Sequence, residues 1–219
     1  SGPLKRLLHP DDRIPNSRDR YYLMKYDVAT GLSERLTYGS HNVYLNDISP
    51  DGKKLLCSTS KPDITRCPFS LSSLFEIDLT TLQADTLVAW DAYLGSASYS
   101  PDGKQLLVTG SPSAFGGIGK NCGEHPIAND FDTQAFIMDL ATKKVQAITR
   151  DFNPTVSPVQ WNRVDGCIYF DTTDGDCRHI YRYVPKTGGF EMLPLEEDVI
   201  TSFTLANDNP VVAAYVGGD

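Results

Sequence analysis

An acidic run, Glu196-Glu197-Asp198, is the first cluster of side chains that could do chemistry. Neighbouring carboxylates of this kind can bind a cation or an amine through charge-assisted hydrogen bonds. The same run could instead be an exposed, solvated linker between two strands. Catalytic patterns are absent, because the sequence contains no Gly-x-Ser-x-Gly elbow and its four histidines have no nucleophile at a recognisable spacing. The residues therefore predict binding and no catalytic site.

No candidate metal-binding or nucleotide-binding motif has the residue spacing that such a site requires. Cys122 with Glu124 and His125 offers three possible metal ligands, but no Cys-x-x-Cys pair accompanies them. The aspartates from Asp171 to Asp176 depart from the order of a calcium loop, and a hairpin turn explains them equally well. Gly119-Lys120 lacks the Ser or Thr and the upstream Gly of a phosphate-binding loop. We therefore predict no metal and no cofactor.

Composition narrows the class of protein and of partner. The 219 residues are 40% hydrophobic, which is enough for a packed core, and no apolar run is long enough to span a bilayer. The net charge of −8 argues against nucleic acid and against an anionic membrane surface as partners. Ser1-Gly2 matches the remnant of a removed tag, so we expect the natural N-terminus to lie elsewhere and draw nothing from the missing signal peptide.

Five cysteines are too few for a disulfide scaffold, and an odd number leaves at least one free thiol. Cys57 and Cys167 lie within strand patterns and are expected in the core. The other three lie in predicted loops. One bridge remains possible, either Cys57–Cys67 or Cys167–Cys177.

A turn followed by a short apolar strand occurs four times. Residues 48–59 read ISPDGKKLLCST and residues 99–110 read YSPDGKQLLVTG, and weaker copies follow at 163–171 and 205–215. Asp-Gly is typical of two-residue hairpins whose residues have positive φ angles. The repeat turns lie at Asp51, Asp102, Asp165 and Asp208.

A second hairpin recurs between these repeats. Asp27, Asp78 and Asp139 each end a strand, where the carboxylate can accept hydrogen bonds from the following turn. The repeating unit is thus four short antiparallel strands in about 40–50 residues, which is the pattern of a β-propeller blade. We predict an all-β propeller over residues 21–219, after a leading segment of residues 1–20 that includes the tag remnant. Three complete blades would be flanked by two half-blades, either closing into four blades or forming part of a larger ring.

The interval between the second and third turns is longer than the others because it contains residues 111–132, SPSAFGGIGKNCGEHPIANDFD. A loop of this length in a compact domain is often functional. It is too rich in Gly, Pro and Asn to bury much apolar surface of its own, so we expect it to stand off the blade or to be ordered only by contact with another domain or subunit. Phe115 and Ile118 are then its exposed apolar anchors and form a candidate interface. A tolerated insertion without a role is the alternative.

The repeats SPDGKKLLCSTS and SPDGKQLLVTGSP, paired with LFEIDLTT and FIMDLATKK, resemble propellers of the prolyl oligopeptidase family and TolB-like propellers, and more narrowly the dipeptidyl peptidase IV-like branch. The resemblance implies a noncatalytic propeller that admits short peptides to an α/β-hydrolase domain carrying the catalytic serine. It also implies that Glu196 and Glu197 could hold the substrate's amino terminus, although the flanking residues differ from the family pattern.

Three functional readings stay open at this point. The chain could be the substrate-selecting domain of a serine exopeptidase, sharing a peptide substrate with the hydrolase domain. It could be a stand-alone TolB-like propeller that binds a protein partner, or a propeller glycosidase with paired carboxylates. A periplasmic or secreted location and possible homo-oligomers go with the first two readings.

Overall fold

The computed structural model describes residues 20–123, 130–196, 199–206, 208–209 and 211–217. These residues form sixteen strands and one short helical turn, α1 (Ala114–Gly117). The strands are β1 (Met24–Tyr26), β2 (Ser33–Arg35), β3 (Val43–Ile48), β4 (Lys54–Pro62), β5 (Ser70–Asp78), β6 (Ala84–Asp91), β7 (Leu94–Tyr99), β8 (Gln105–Gly110), β9 (Gln134–Asp139), β10 (Val145–Ala147), β11 (Thr155–Trp161), β12 (Ile168–Asp174), β13 (Cys177–Val184), β14 (Gly189–Met192), β15 (Val199–Leu205) and β16 (Val212–Gly217).

Sheet topology confirms the predicted all-β blades. β3 to β6 form one four-stranded sheet in sequence order, β7 to β10 form a second, and β11 to β14 follow the same order in a third. The hairpin β1–β2 is a two-stranded sheet by itself, and β15–β16 is a hairpin joined to the third sheet by one parallel bridge, Arg178 with Val199. Three blades flanked by two half-blades were predicted. The strand pairing of the described residues gives these three blades and the two flanking hairpins.

The chain divides into two compact units. The first holds β1 to β6 apart from residues 48–52, and the second holds those residues with β7 to β16. In the first unit Leu55, Cys57 and Ile77 form a buried cluster. In the second unit both faces of the third blade are buried. Phe170 packs with Leu107 and Ile137 of the second blade on one face, and Tyr169 packs with Ile200 and Phe203 of β15 on the other.

The Asp-Gly turns differ from the predicted type. The amide of Gly52 donates to the Ser49 carbonyl at 2.8 Å, and Gly103 donates to Ser100 at 2.9 Å. Only the glycines have positive φ, 71° at Gly52 and 70° at Gly103, whereas a two-residue primed turn needs a positive φ at the aspartate as well. The reason is the proline before each aspartate, which favours the first central position of an ordinary type I turn. Each glycine then follows the turn in the left-handed conformation.

Hydrogen bonding in the second hairpins confirms the prediction for their aspartates. The Asp78 carboxylate accepts the amides of Thr80 and Thr81, each at 2.8 Å. Asp139 accepts both the amide and the hydroxyl of Thr142 at 2.7 Å. The same contacts occur at Asp27 with Ala29 and Thr30. Because these hydrogen bonds favour the charged form, the pKa of each aspartate lies below its ordinary value of 3.8.

All five cysteines are free. Cys57 and Cys167 are buried as predicted, and burial raises the pKa of the Cys57 thiol to about 12. Neither of the two bridges considered from the sequence is present. Among the described residues, none of the helical structure is long and apolar enough to cross a membrane.

We expect Gly103→Val to lower the free energy of unfolding by roughly 1–3 kcal/mol, because a β-branched residue is forced to positive φ. A Cβ at this position would also lie 3.3 Å from Cδ of Pro50. Gly52→Val is the matched control, since it carries the same φ with no atom within 4 Å of the new Cβ. Urea denaturation should therefore rank Gly103→Val below Gly52→Val and both below the parent. Equal stability of all three proteins would contradict the turn geometry.

The lowered pKa values predict a loss of stability in acid. Each aspartate stabilises the fold fully above its unfolded pKa, near 3.8, and this contribution is lost as the pH falls through the lower, folded pKa. In Asp139→Asn the side-chain oxygen can still accept the Thr142 amide but no longer titrates. We expect its stability to lie below that of the parent at pH 7, because the contribution of the charged carboxylate is lost, and to approach that of the parent as the pH falls from 5 to 3. Identical pH profiles for the two proteins would show that Asp139 does not contribute.

Candidate functional site

Strand direction separates two kinds of connection in the second blade. The Asp-Gly turn between β7 and β8 and the Thr142 turn between β9 and β10 lie at one end, because neighbouring strands are antiparallel. The β8–β9 loop and the connection from β10 to β11 must then lie at the opposite end. The first end is built from recurring turn residues, whereas the second carries the long excursion. The second end is therefore where a site can be formed.

The first part of the excursion packs on its own blade. The amide of Ser111 donates to the carbonyl of Tyr93 at 3.0 Å, and the amide of Ala114 donates to Ser111 at 3.0 Å. Residues 111–114 are buried. The Phe115 ring lies 5.1 Å from the ring of Phe136, which comes from β9. The excursion was expected to stand off the blade, and residues 111–119 instead lie against it because Phe136 offers an apolar surface.

Gly119 is the residue that lets the loop approach β9. A Cβ at this position would lie 2.4 Å from Oε1 of Gln134 and 3.1 Å from both the Phe136 ring and Cα of Pro112. Such distances are shorter than van der Waals contact, so any larger residue would push the loop away. The glycine that had been considered for a phosphate loop therefore has a packing role.

A polar cavity of about 320 Å³ lies between this loop and the next connection. Its walls come from three segments of the chain, which are the loop, the start of β9 with the residues just before it, and the connection before β11. The lining residues are Pro112, Gly119, Asn121, Cys122, Asp132, Gln134 and residues 150–153. Asn121 donates its side-chain amide to the Asp151 carboxylate at 3.2 Å, which ties the two connections together. Thr155 donates to Asp132 at 3.2 Å on the other side.

Charge in the cavity is largely paired. The Arg150 guanidinium donates to both oxygens of Asp151, from Nε at 3.2 Å and from Nη2 at 3.0 Å. This hydrogen bonding lowers the pKa of Asp151, so the carboxylate stays charged at neutral pH. Phe152 follows and stacks on Phe190 with ring centroids 4.4 Å apart, which fixes the connection against the third blade. The result is a cavity wall with hydrogen-bonding groups on its surface.

The cavity offers amide, guanidinium and carboxylate groups that can bind a polar ligand or a polypeptide main chain. In the residues that the structure describes, no group of three or more His, Cys, Asp and Glu side chains could hold a metal ion. Cys122 lines the cavity, but Glu124 and His125, the other ligands considered with it, lie outside the described residues. The geometry therefore supports binding.

The residues predicted from the sequence lie in different places. Ile118 is 38% exposed, as expected of an interface residue, whereas Phe115 is half-buried against Phe136. Glu196 is exposed shortly before β15, and Glu197 lies outside the described residues. A role of these residues in binding stays a prediction. Asp171, considered for calcium, is buried and paired with Arg178.

Sequence reasoning missed Asn121, Arg150 and Asp151. Strand direction could have predicted the position of Arg150 and Asp151. They connect the fourth strand of one blade to the first of the next, and such connections share an end with the long β8–β9 loop. Following strand direction along the repeats would have placed them beside that loop.

No protein-family model and no curated protein matches the sequence. The solved structures similar to this chain include β-propellers. TolB from Acinetobacter baumannii is 22% identical with a TM-score of 0.60, over 88% of this chain and 42% of TolB. An oligogalacturonate lyase in complex with manganese is 15% identical with a TM-score of 0.64, over 86% of this chain and 51% of the lyase.

The β-propeller domain of the Trilobed protease from Pyrococcus furiosus is 14% identical with a TM-score of 0.53, over 90% of this chain and 59% of that domain. The chain thus spans about half the length of the propellers it resembles. At such identities these similarities establish the fold, a TolB-like β-propeller. They do not establish an activity.

We expect Gly119→Ala to lower the free energy of unfolding by roughly 1–3 kcal/mol through overpacking against Gln134 and Phe136. Gly217→Ala is the control, since its Cβ would meet only Thr201 at an ordinary 3.8 Å. Thermal denaturation of both variants measures the difference. If Gly119→Ala melts with the parent, the loop does not close over β9 as described.

Proposed function

We propose that this chain is the noncatalytic, substrate-selecting propeller domain of a dipeptidyl peptidase IV-like serine exopeptidase. In this role it restricts the peptides that reach an α/β-hydrolase domain. The observation that carries the proposal is the fold: the SPDGK-type repeats form blades similar to those of a protease propeller over 90% of the chain. The finer assignment to the dipeptidyl peptidase IV-like branch rests on the repeat sequences.

The polar cavity supports the same proposal. Asn121, Gln134 and Arg150 provide both donors and acceptors, which suit the alternating amide and carbonyl groups of a peptide. These residues lie beside residues 111–123 of the excursion. At that end of the blade the surface is formed by connections and not by the repeated turns. A peptide substrate shared with a hydrolase domain is the partner that this proposal requires.

A second candidate is a stand-alone TolB-like propeller that binds a protein partner. It is favoured by the 22% identity to TolB from Acinetobacter baumannii, which exceeds the identities to the lyase and the protease propeller. Both proposals carry the expectation of a periplasmic or secreted location.

Active-site labelling separates the two proposals. We expect a fluorophosphonate probe to leave the 219-residue chain unlabelled, because the sequence has no nucleophile elbow. The protein made from the natural full-length reading frame should be labelled once, at a serine outside these residues. Labelling of a serine within the 219 residues would contradict the noncatalytic assignment. A natural protein that takes no label would favour the TolB-like candidate.

A further inference from the structure

The strand β6 contains a bulge at which a tryptophan has an uncommon backbone conformation. The pairing register with β5 shifts there, so that Ser73 lies opposite two residues, Ala89 and Trp90. Ser73 is buried, and its hydroxyl donates to the Val88 carbonyl at 2.8 Å, which fixes the bulge. Trp90 has a φ of 49°, in the left-handed region that a bulky side chain rarely adopts. Strained conformations of this kind cluster at ligand sites, where a bulge sets the direction of a side chain.

The indole of Trp90 brings two nitrogen-bearing side chains together. Lys61, near the end of β4, places Nζ 3.9 Å from the centre of the indole in a cation–π contact. The ring of His41, in the connection that leads into β3, lies 6.0 Å from the indole at an interplanar angle of 64°. All three residues belong to the first compact unit. Strand direction places Lys61 and Trp90 at the end of the first blade opposite its Asp-Gly turn.

The nitrogen atoms of this group are unpaired donors. In the described part of the chain, neither Lys61 Nζ nor the ring nitrogens of His41 and Trp90 have a hydrogen-bond or ion-pair partner. Lys54 of the same strand differs, because its ammonium pairs with Glu76 at 3.0 Å. Since the Lys61 ammonium is held over a ring and lacks such a carboxylate, its N–H donors can bind an anion.

The loop that follows Lys61 adds apolar groups at the same end of the blade. Ile64 is 45% exposed and Phe69 is 65% exposed. The loop is closed by the Asp63 amide, which donates to the Phe69 carbonyl at 2.8 Å, and the Asp63 carboxylate accepts the Thr65 amide at 3.0 Å. This end of the blade therefore combines an unpaired cation with aromatic and aliphatic surface.

We propose that Lys61, His41 and Trp90 form a binding site for a carboxylate that is attached to an apolar or aromatic group. The carboxylate accepts hydrogen bonds from Lys61 and His41. The apolar group packs on the indole, because Trp90 is only half-buried and leaves part of its ring open to a ligand. An inorganic anion could not use that surface. The C-terminal residue of a peptide and a free aromatic acid both have this chemistry.

This site is distinct from the polar cavity, whose lining residues all belong to the second compact unit. It also does not depend on the role proposed above for the whole chain. A carboxylate ligand is compatible with the net charge of −8, since the donors at this site are held within a few ångströms of one ring.

Heteronuclear NMR of the isotope-labelled chain tests the proposal, because the sequence contains two tryptophans and each gives one indole N–H signal. Trp161→Phe assigns the two signals. In the unsubstituted chain Trp161 is an internal control, since it lies in the second unit. The probes are N-acetylphenylalanine and benzoate, with N-acetylphenylalaninamide as the neutral match and acetate as a carboxylate without a ring.

We expect both aromatic carboxylates to shift the Trp90 signal saturably, and to bind several-fold more tightly than the amide and acetate. The tighter of the two identifies the source of the ligand, a peptide terminus or a free acid. Equal binding of the amide and the carboxylate would overturn the proposal. An equal shift of the Trp161 signal, or no saturable shift with any probe, would overturn it too.

Variants of Lys61 provide the second test. Lys61→Gln should weaken binding of the carboxylates by about tenfold or more, because a charge-assisted hydrogen bond is lost. Lys61→Arg keeps the positive charge and should retain most of the binding. Lys186→Gln is the matched control, since it removes the same charge from an exposed position of the second unit and should bind as the parent does. Far-ultraviolet circular dichroism verifies that each variant folds.

Unaltered binding by Lys61→Gln would contradict the assigned role of the ammonium. A loss in Lys61→Arg as large as that in Lys61→Gln, or an equal loss in Lys186→Gln, would contradict it as well.

Discussion

Burial of both faces of each blade is the constraint on which this structure depends. Successive residues of a strand point to opposite faces, so Ile168 and Phe170 of β12 face one neighbour, while Tyr169 and Cys167, the residue just before β12, face the other. Each of these four residues is at most 6% exposed. Such a sheet cannot be stable with one face in water, because it would lose half of its apolar burial. Repetition of the blade follows from this requirement.

Asp171 is a charged residue that lies in a buried layer with a partner and at a cost. Asp171 lies among the residues that face β15 and is 1% exposed, and it forms an ion pair with Arg178. Its second oxygen, Oδ1, has no hydrogen-bond partner in the described part of the chain. Burial raises the pKa of Asp171, although Arg178 opposes that shift, whereas turn hydrogen bonds lower the pKa of Asp139. The local environment thus shifts the pKa values of these two aspartates in opposite directions.

Features that repeat could be predicted from the sequence, and features that occur once could not. The blades, their strand order and the hydrogen bonds of Asp78 and Asp139 all follow from spacing and turn chemistry. The turn type at Gly103 was misjudged because the proline before Asp102 was not weighed against the Asp-Gly pair. Phe115 was expected to be exposed, since nothing in a single sequence places the Phe136 ring beneath it. The link between Asn121 and Asp151 joins residues 30 positions apart, and no local pattern encodes it.

The two ends of a blade are under different physical constraints, and this difference decides where function can reside. At one end the turns need particular residues, because Gly103 must adopt a positive φ and Asp139 must accept the Thr142 amide. At the other end Thr37 and Thr149 repeat one hydrogen bond, since each accepts an amide, from Leu23 and from Ala135. The β4–β5 and β8–β9 connections at that end nevertheless differ in length, so the loops can change without loss of the sheet. The excursion at 111–132, the Arg150–Asp151 pair and Glu196 all lie on such connections. Residues that recognise a ligand are therefore expected there, since a substitution at that end alters the surface and leaves the packing of β12 between its neighbours intact.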